Sequence, residues 1–85
     1  MYRLVFHKQA VKTLAKMPRG IAGRIRFELG LIAESPEKYS GDWKPLSGTS
    51  FWRLRVGGWR AICEIRNGDL ILLVLKVGAR GDIYK

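Results

Sequence analysis

Five residues in the C-terminal half of this 85-residue chain have the types and spacing to act on a phosphodiester: Arg53, Arg55, Arg60, Arg80 and Tyr84. Guanidinium groups hold phosphate oxygens through charge-assisted, bidentate hydrogen bonds. They also stabilise charge that grows on those oxygens in a transition state. RNA carries its own nucleophile, the 2′-hydroxyl. Cutting it requires that hydroxyl to be aligned with the adjacent phosphate, the phosphoryl charge to be stabilised, and the leaving 5′-oxygen to be protonated. Arginine suits the second task and not proton transfer, because its pKa lies above about 12. Tyr84 can serve as acid or base from an ordinary pKa of ~10, and nearby arginines favour its phenolate.

These residues meet only if residues 51–77 form three consecutive strands. Gly57-Gly58 reads as a two-residue hairpin turn, where glycine supplies positive φ. That turn sets Val56 opposite Trp59, Arg55 opposite Arg60, Leu54 opposite Ala61, Arg53 opposite Ile62 and Trp52 opposite Cys63. Opposed residues point to the same side of a sheet. Trp52, Leu54, Val56, Trp59, Ala61 and Cys63 therefore share the face on which helices would sit, and Arg53, Arg55 and Arg60 share the other. Like charges directly opposite each other destabilise a sheet, so Arg55 against Arg60 fits an anion lying between them. The plainer reading is that both guanidiniums splay into water.

Asn67-Gly68 signals the next turn, and Leu70 to Val77 returns antiparallel. Apolar on both faces, this strand belongs at the centre of the sheet. A two-residue turn sets Leu75 opposite Arg60. The strand ends beside Gly57-Gly58, which brings Arg80 and Tyr84, on the tail from Gly78 to Lys85, to the same cleft.

Upstream, Tyr2 to His7 reads as a strand that pairs with Leu70 to Val77. A helix follows from Lys8, with Val11, Leu14 and Ala15 as its apolar stripe and Lys8, Lys12 and Lys16 on another face. Pro18 and Gly20 mark a break. A second helix spans Arg19 to Glu34, burying Ile21, Ile25, Leu29 and Ile32 and turning Arg24, Glu28 and Glu34 outward; Ser35-Pro36 ends it. Pro36 to Ser50 is a loop with a short extended piece near Trp43 to Leu46. The expected fold is α+β: an N-terminal strand, an αα-hairpin and a three-stranded antiparallel meander, giving a four-stranded sheet with helices on one face.

Composition narrows the function. The length suits one domain over residues 1–85. Sixteen Lys and Arg against seven Asp and Glu give a net charge of +9, which points to a polyanion or an acidic protein as partner. Residues 1–27 hold seven basic side chains and no acidic one. Cys63 is the only cysteine and sits among apolar residues, as a small hydrophobe rather than a nucleophile. His7 reads as an ordinary edge histidine. No pair of carboxylates stands out, so neither metal nor cofactor is expected. The opening does not resemble a signal peptide, and the longest apolar run, Leu70 to Leu75, is far too short to span a bilayer; a cytoplasmic protein is expected.

The ordered set Lys44-Pro45-Leu46-Ser47-Gly48, Trp52-Arg53-Leu54-Arg55-Val56-Gly57-Gly58-Trp59-Arg60, Val77-Gly78-Ala79-Arg80 and Ile83-Tyr84-Lys85 resembles the RelE/ParE toxin superfamily, nearer its RelE branch. The opening from Tyr2 to Pro18, a strand, a basic helix and a Met-Pro break, is similar too. The resemblance covers essentially the whole chain. It implies the toxin of a type II toxin–antitoxin pair that enters the ribosome and cleaves mRNA through the 2′-hydroxyl. It implies a co-expressed antitoxin that silences the toxin, and contact with operator DNA only through their complex. In this resemblance Arg53 and Arg55 stand where the RelE pattern has basic residues, commonly lysines. Arg60 matches the arginine after the hairpin aromatic, Arg80 the one after Val-Gly, and Tyr84 the tail tyrosine that stacks on a base or assists proton transfer. Lys8, Lys12, Lys16, Arg19, Arg24, Arg26 and Lys44 become candidates for RNA or ribosome contact. Arginines at 53 and 55 cannot lose a proton as a perturbed lysine can, which leaves the general base unassigned. Two other functions fit the same chain: a ParE-like inhibitor of DNA gyrase that acts by binding, and a non-catalytic module that binds RNA or the ribosome.

Overall fold

A computed structural model describes residues 1–79, which form two helices and a five-stranded sheet. In chain order these are β1 (Arg3–Phe6), α1 (Lys8–Lys16), α2 (Arg19–Glu34), β2 (Trp43–Pro45), β3 (Phe51–Val56), β4 (Trp59–Arg66) and β5 (Ile71–Ala79). The strands lie in the order β1-β5-β4-β3-β2. Strand β1 runs parallel to β5, and the other neighbours are antiparallel. The fifth strand, beyond the four expected, is the short extended piece at Trp43, which pairs with β3 rather than remaining loop. An aromatic contact holds it there. The Trp43 and Trp52 rings stack with centroids 5.1 Å apart and planes 16° from parallel, an arrangement worth about 0.5–1.5 kcal/mol beyond burial.

Both helices pack on one face. Leu14, Met17, Ile25, Leu29 and Ile32 meet Leu54, Val56, Ala61, Cys63, Leu72, Val74 and Val77 from the sheet. Helix α2 ends where the Ser35-Pro36 signal placed it, with the Ser35 N–H donating to the Leu31 carbonyl. Ala22 and Ala33 join its buried stripe, Ile21 is only half-buried, and Glu28 turns partly inward to accept a 2.5 Å hydrogen bond from the Tyr39 hydroxyl. Burial, reinforced by that carboxylate, pushes the Tyr39 pKa well above the ordinary tyrosine value.

The stripe of α1 differs from the expected one. Ala10, Leu14 and Met17 are buried, whereas Val11 is 51% exposed and Ala15 is exposed. Both sets satisfy helical spacing, and docking decides between them. His7 caps the helix, its Nδ1 accepting from the Gln9 N–H at 3.3 Å, and the Gln9 Oε1 accepts from the Val77 N–H at 3.3 Å. Anchored to β5 in this way, the helix turns Ala10 inward and Val11 outward.

Strand β5 is central, as expected, but its span and register differ. It begins at Ile71, after a four-residue turn over 67–70, because β1 grips that turn. The Tyr2 hydroxyl donates to the Asn67 Oδ1 at 2.5 Å, and the Arg3 N–H donates to the Leu70 carbonyl at 2.7 Å. Leu70 is held at φ 54, a left-handed conformation unusual for leucine. Then, between the pairs Cys63↔Val74 and Ile62↔Lys76, Leu75 is an extra residue, a β-bulge. The longer turn shifts the register by two residues and the bulge by one more. Gly78, not Leu75, therefore lies opposite Arg60. The bulge also keeps the core continuous, moving the buried positions from Leu72 and Val74 to Val77.

Candidate functional site

The β3–β4 hairpin has the register its turn demands. Val56 pairs with Trp59, Arg55 with Arg60, Leu54 with Ala61, Arg53 with Ile62 and Trp52 with Cys63. Gly57 takes φ 60, the positive value such a turn requires. Arg53, Arg55 and Arg60 therefore share the face away from the helices. Lys44 lies opposite Arg53 on β2, and Lys76 lies opposite Ile62 on β5. Two rows of side chains cross this open face: Lys44, Arg53, Ile62 and Lys76, then Arg55, Arg60 and Gly78. Gly78 adds no side chain opposite Arg60, which is half-buried. Ile62 is only 6% exposed although it lies on the helix-free face.

The three arginines are not equivalent. Asp42, immediately before β2, accepts the Arg55 N–H on its backbone carbonyl at 2.9 Å. Its side-chain Oδ1 lies 2.8 Å from Arg53 Nη2, and its Oδ2 lies 3.9 Å from Arg55 Nε. Arg53 is 12% exposed at the side chain and Arg55 46%. Arg53 is thus the paired, covered member and Arg55 the reachable one. Sequence reasoning placed Asp42 in a loop and missed it. The extended piece at Trp43 was the available signal, since extending its pairing with β3 by one residue sets Asp42 beside Arg55.

The remaining candidates fall elsewhere. Lys8, Lys12 and Lys16 on α1 and Arg19, Arg24 and Arg26 on α2 are exposed, but they belong to the helical layer, across the sheet from the arginine face. Arg80 and Tyr84 lie outside the described residues. Cys63 is fully buried, and burial pushes its thiol pKa from near 9 up to about 12, so it stays a neutral core residue. Among the described residues no three His, Cys, Asp or Glu side chains gather into a metal-binding set. No helix among them is long and apolar enough to cross a membrane.

A cleft of about 650 Å³ is lined by Glu28, Leu31, Lys38 and Tyr39, and another of about 410 Å³ by Tyr2, Pro36, Trp43 and Trp52; neither includes Arg53, Arg55 or Arg60. A basic strip of this kind suits an extended polyanion, whose charge is distributed along its length.

Comparison with known proteins agrees with this architecture. Residues 4–84 match the family of ParE toxins of type II toxin–antitoxin systems, parDE. The chain belongs to that family, within the RelE/ParE superfamily of toxins. No curated protein matches it. Among solved structures it is similar to the archaeal RelE of a RelE–RelB complex from Pyrococcus horikoshii, at 29% identity and TM-score 0.81 over 95% of this chain and 97% of that one. It is similar to a RelB–RelE antitoxin–toxin complex from Methanococcus jannaschii, at 29% identity and TM-score 0.77 over 94% of each chain. The isolated E. coli RelE toxin shares the fold at 20% identity and TM-score 0.78, over 99% of this chain and 92% of that one.

Proposed function

We propose that this type II toxin is a metal-independent endoribonuclease that cleaves mRNA on the ribosome and is silenced by a cognate antitoxin. The observation that carries the reading is the direct opposition of Arg55 and Arg60 on a helix-free face. Guanidinium groups hold phosphate oxygens through charge-assisted, bidentate hydrogen bonds, and the pair engages a phosphate of the RNA backbone. Its adjacent 2′-hydroxyl attacks the phosphorus, charge grows on the phosphoryl oxygens, and Arg55 and Arg60 stabilise it. Arg80 adds a third guanidinium. Tyr84 stacks on a base or protonates the leaving 5′-oxygen, two roles that substitution can separate. Lys44 and Lys76 extend the positive strip along the strand of RNA.

Similarity to RelE chains solved with RelB supports an antitoxin as partner. On a chain of net charge +9, its silencing segment would bring acidic residues to the basic face. The antitoxin also provides the only route to operator DNA in this reading.

A second reading follows from the family description itself, which is that of ParE toxins. In it the same basic face inhibits DNA gyrase by binding and cuts nothing. The deciding experiment maps 5′ ends of cellular mRNA after a short induction pulse, alongside a gyrase supercoiling assay with purified toxin. New 5′ ends within translated codons and unimpaired supercoiling establish the ribonuclease. Blocked supercoiling with intact mRNA establishes the gyrase inhibitor.

A further inference from the structure

We infer that Asp42 is a positioning residue that takes Arg53 out of ligand contact and leaves Arg55 as the β3 arginine that grips phosphate. The inference rests on reading the open face as a polynucleotide site. The Asp42 carboxylate is fixed by backbone, because the residue continues the β2–β3 pairing and accepts the Arg55 N–H at 2.9 Å. From that anchor it reaches Arg53 Nη2 at 2.8 Å, a full ion pair on a side chain only 12% exposed. A phosphate that engaged Arg53 would have to displace a charge-assisted hydrogen bond and leave the carboxylate unpaired beside it. Arg55 stands differently. Its Nε is 3.9 Å from the other carboxylate oxygen and its side chain is 46% exposed, so it can turn to a ligand without breaking a close pair.

The surrounding charges explain why a carboxylate belongs here. Lys44, Arg53, Arg55, Arg60 and Lys76 crowd neighbouring positions on three adjacent strands and β5. Asp42 is the acidic group that the described residues place in ion-pair contact with them. It offsets one cation of the strip and orients a second. The resulting surface offers the Arg55 guanidinium near the hairpin tip rather than a uniform sheet of charge. That arrangement concentrates phosphate binding at one point, as in-line attack requires.

Salt dependence separates the arginines. For single-stranded nucleic acid, log K falls against log salt with a slope of about −0.7 for each phosphate neutralised. Binding of a short 2′-O-methyl RNA, which cannot be cleaved, is measured by fluorescence anisotropy at several salt concentrations. Arg55→Ala should make the slope shallower by about 0.7, and Arg53→Ala should leave it nearly unchanged. Asp42→Asn releases Arg53 and should steepen the slope by about 0.7, with tighter binding. A second measurement does not depend on RNA. Side-chain Nε–Hε resonances are followed by NMR while pyrophosphate is added. Arg55 should shift and Arg53 should not, until Asp42→Asn lets Arg53 shift as well. If RNA does not bind but the pyrophosphate pattern holds, the polynucleotide reading fails and the partition stands. Equal responses of Arg53 and Arg55 in the wild-type protein, or an Arg53 that stays silent in Asp42→Asn, would overturn the partition.

Discussion

Arg55 faces Arg60 directly across the β3–β4 hairpin, one residue from the Gly57-Gly58 turn and on the side of the sheet that carries no helix. Neither side chain contributes to the hydrophobic core. The pair can therefore be altered with little effect on folding, and mutation can test function without confounding it with stability.

Removing a donor that acts on transition-state charge typically slows a reaction by about 10²–10³. Arg60→Ala and Arg55→Ala should each relieve growth arrest on induction and slow single-turnover cleavage on translating ribosomes by about that factor. Melting temperatures should stay within a few degrees of wild type. Undiminished toxicity in both variants would place the active surface elsewhere.

Tyr84 separates stacking from proton transfer. Tyr84→Phe keeps the ring and removes only the hydroxyl. If the phenol moves a proton, Tyr84→Phe should be nearly as slow as Tyr84→Ala in single-turnover cleavage. If it only stacks, Tyr84→Phe should match wild type and Tyr84→Ala should fall. Arg80→Ala should behave like Arg60→Ala; full activity in Arg80→Ala and Tyr84→Ala together would exclude the tail from the site.

Stability should fall in alkali, and Cys63 should be a main cause. Its folded pKa is raised from near 9 to about 12 by burial, so the folded state holds the thiol proton more tightly than the unfolded one. That contribution is complete below about pH 9 and declines as pH climbs toward 12, by roughly 1.4 kcal/mol per unit. Tyr39, whose pKa is also raised, adds a second loss above its ordinary value of 10. Urea unfolding of reduced protein at pH 8, 9 and 10 should show the decline, and Cys63→Ala should flatten it between pH 9 and 10. An identical slope in the variant would mean that the thiol does not contribute.

Leu75 is the extra residue of the β5 bulge. Deleting it joins Val74 to Lys76 and restores plain alternation, with Lys76 still opposite Ile62, Val77 still opposite Ala61 and Gly78 still opposite Arg60. The deletion should therefore leave the melting temperature within a few degrees of wild type and should preserve toxicity. A melting temperature lower by more than about 10 °C would show that the bulge itself is needed to hold the strand.

What the amino-acid sequence determined by itself was local. Gly57-Gly58 sets the register of β3 on β4 and so the opposition of Arg55 and Arg60, because a two-residue turn leaves one way to pair the strands. Pro18 and Ser35-Pro36 bound α2 at Arg19 and Glu34 for an equally local reason, the backbone angles a proline and its neighbour allow. Tertiary structure decided what depended on distant partners. The turn after β4 is longer than Asn67-Gly68 suggests because Tyr2 and Arg3, far away in sequence, hold Asn67 and Leu70. The bulge at Leu75 is not apparent in an apolar run whose residues suit either face, and it is fixed by what packs on each side. Asp42 joins the arginines only once the Trp43–Trp52 stack has docked β2 on β3. Turn geometry is encoded within a few residues; an ion pair across strands is decided only when the whole sheet has closed around it.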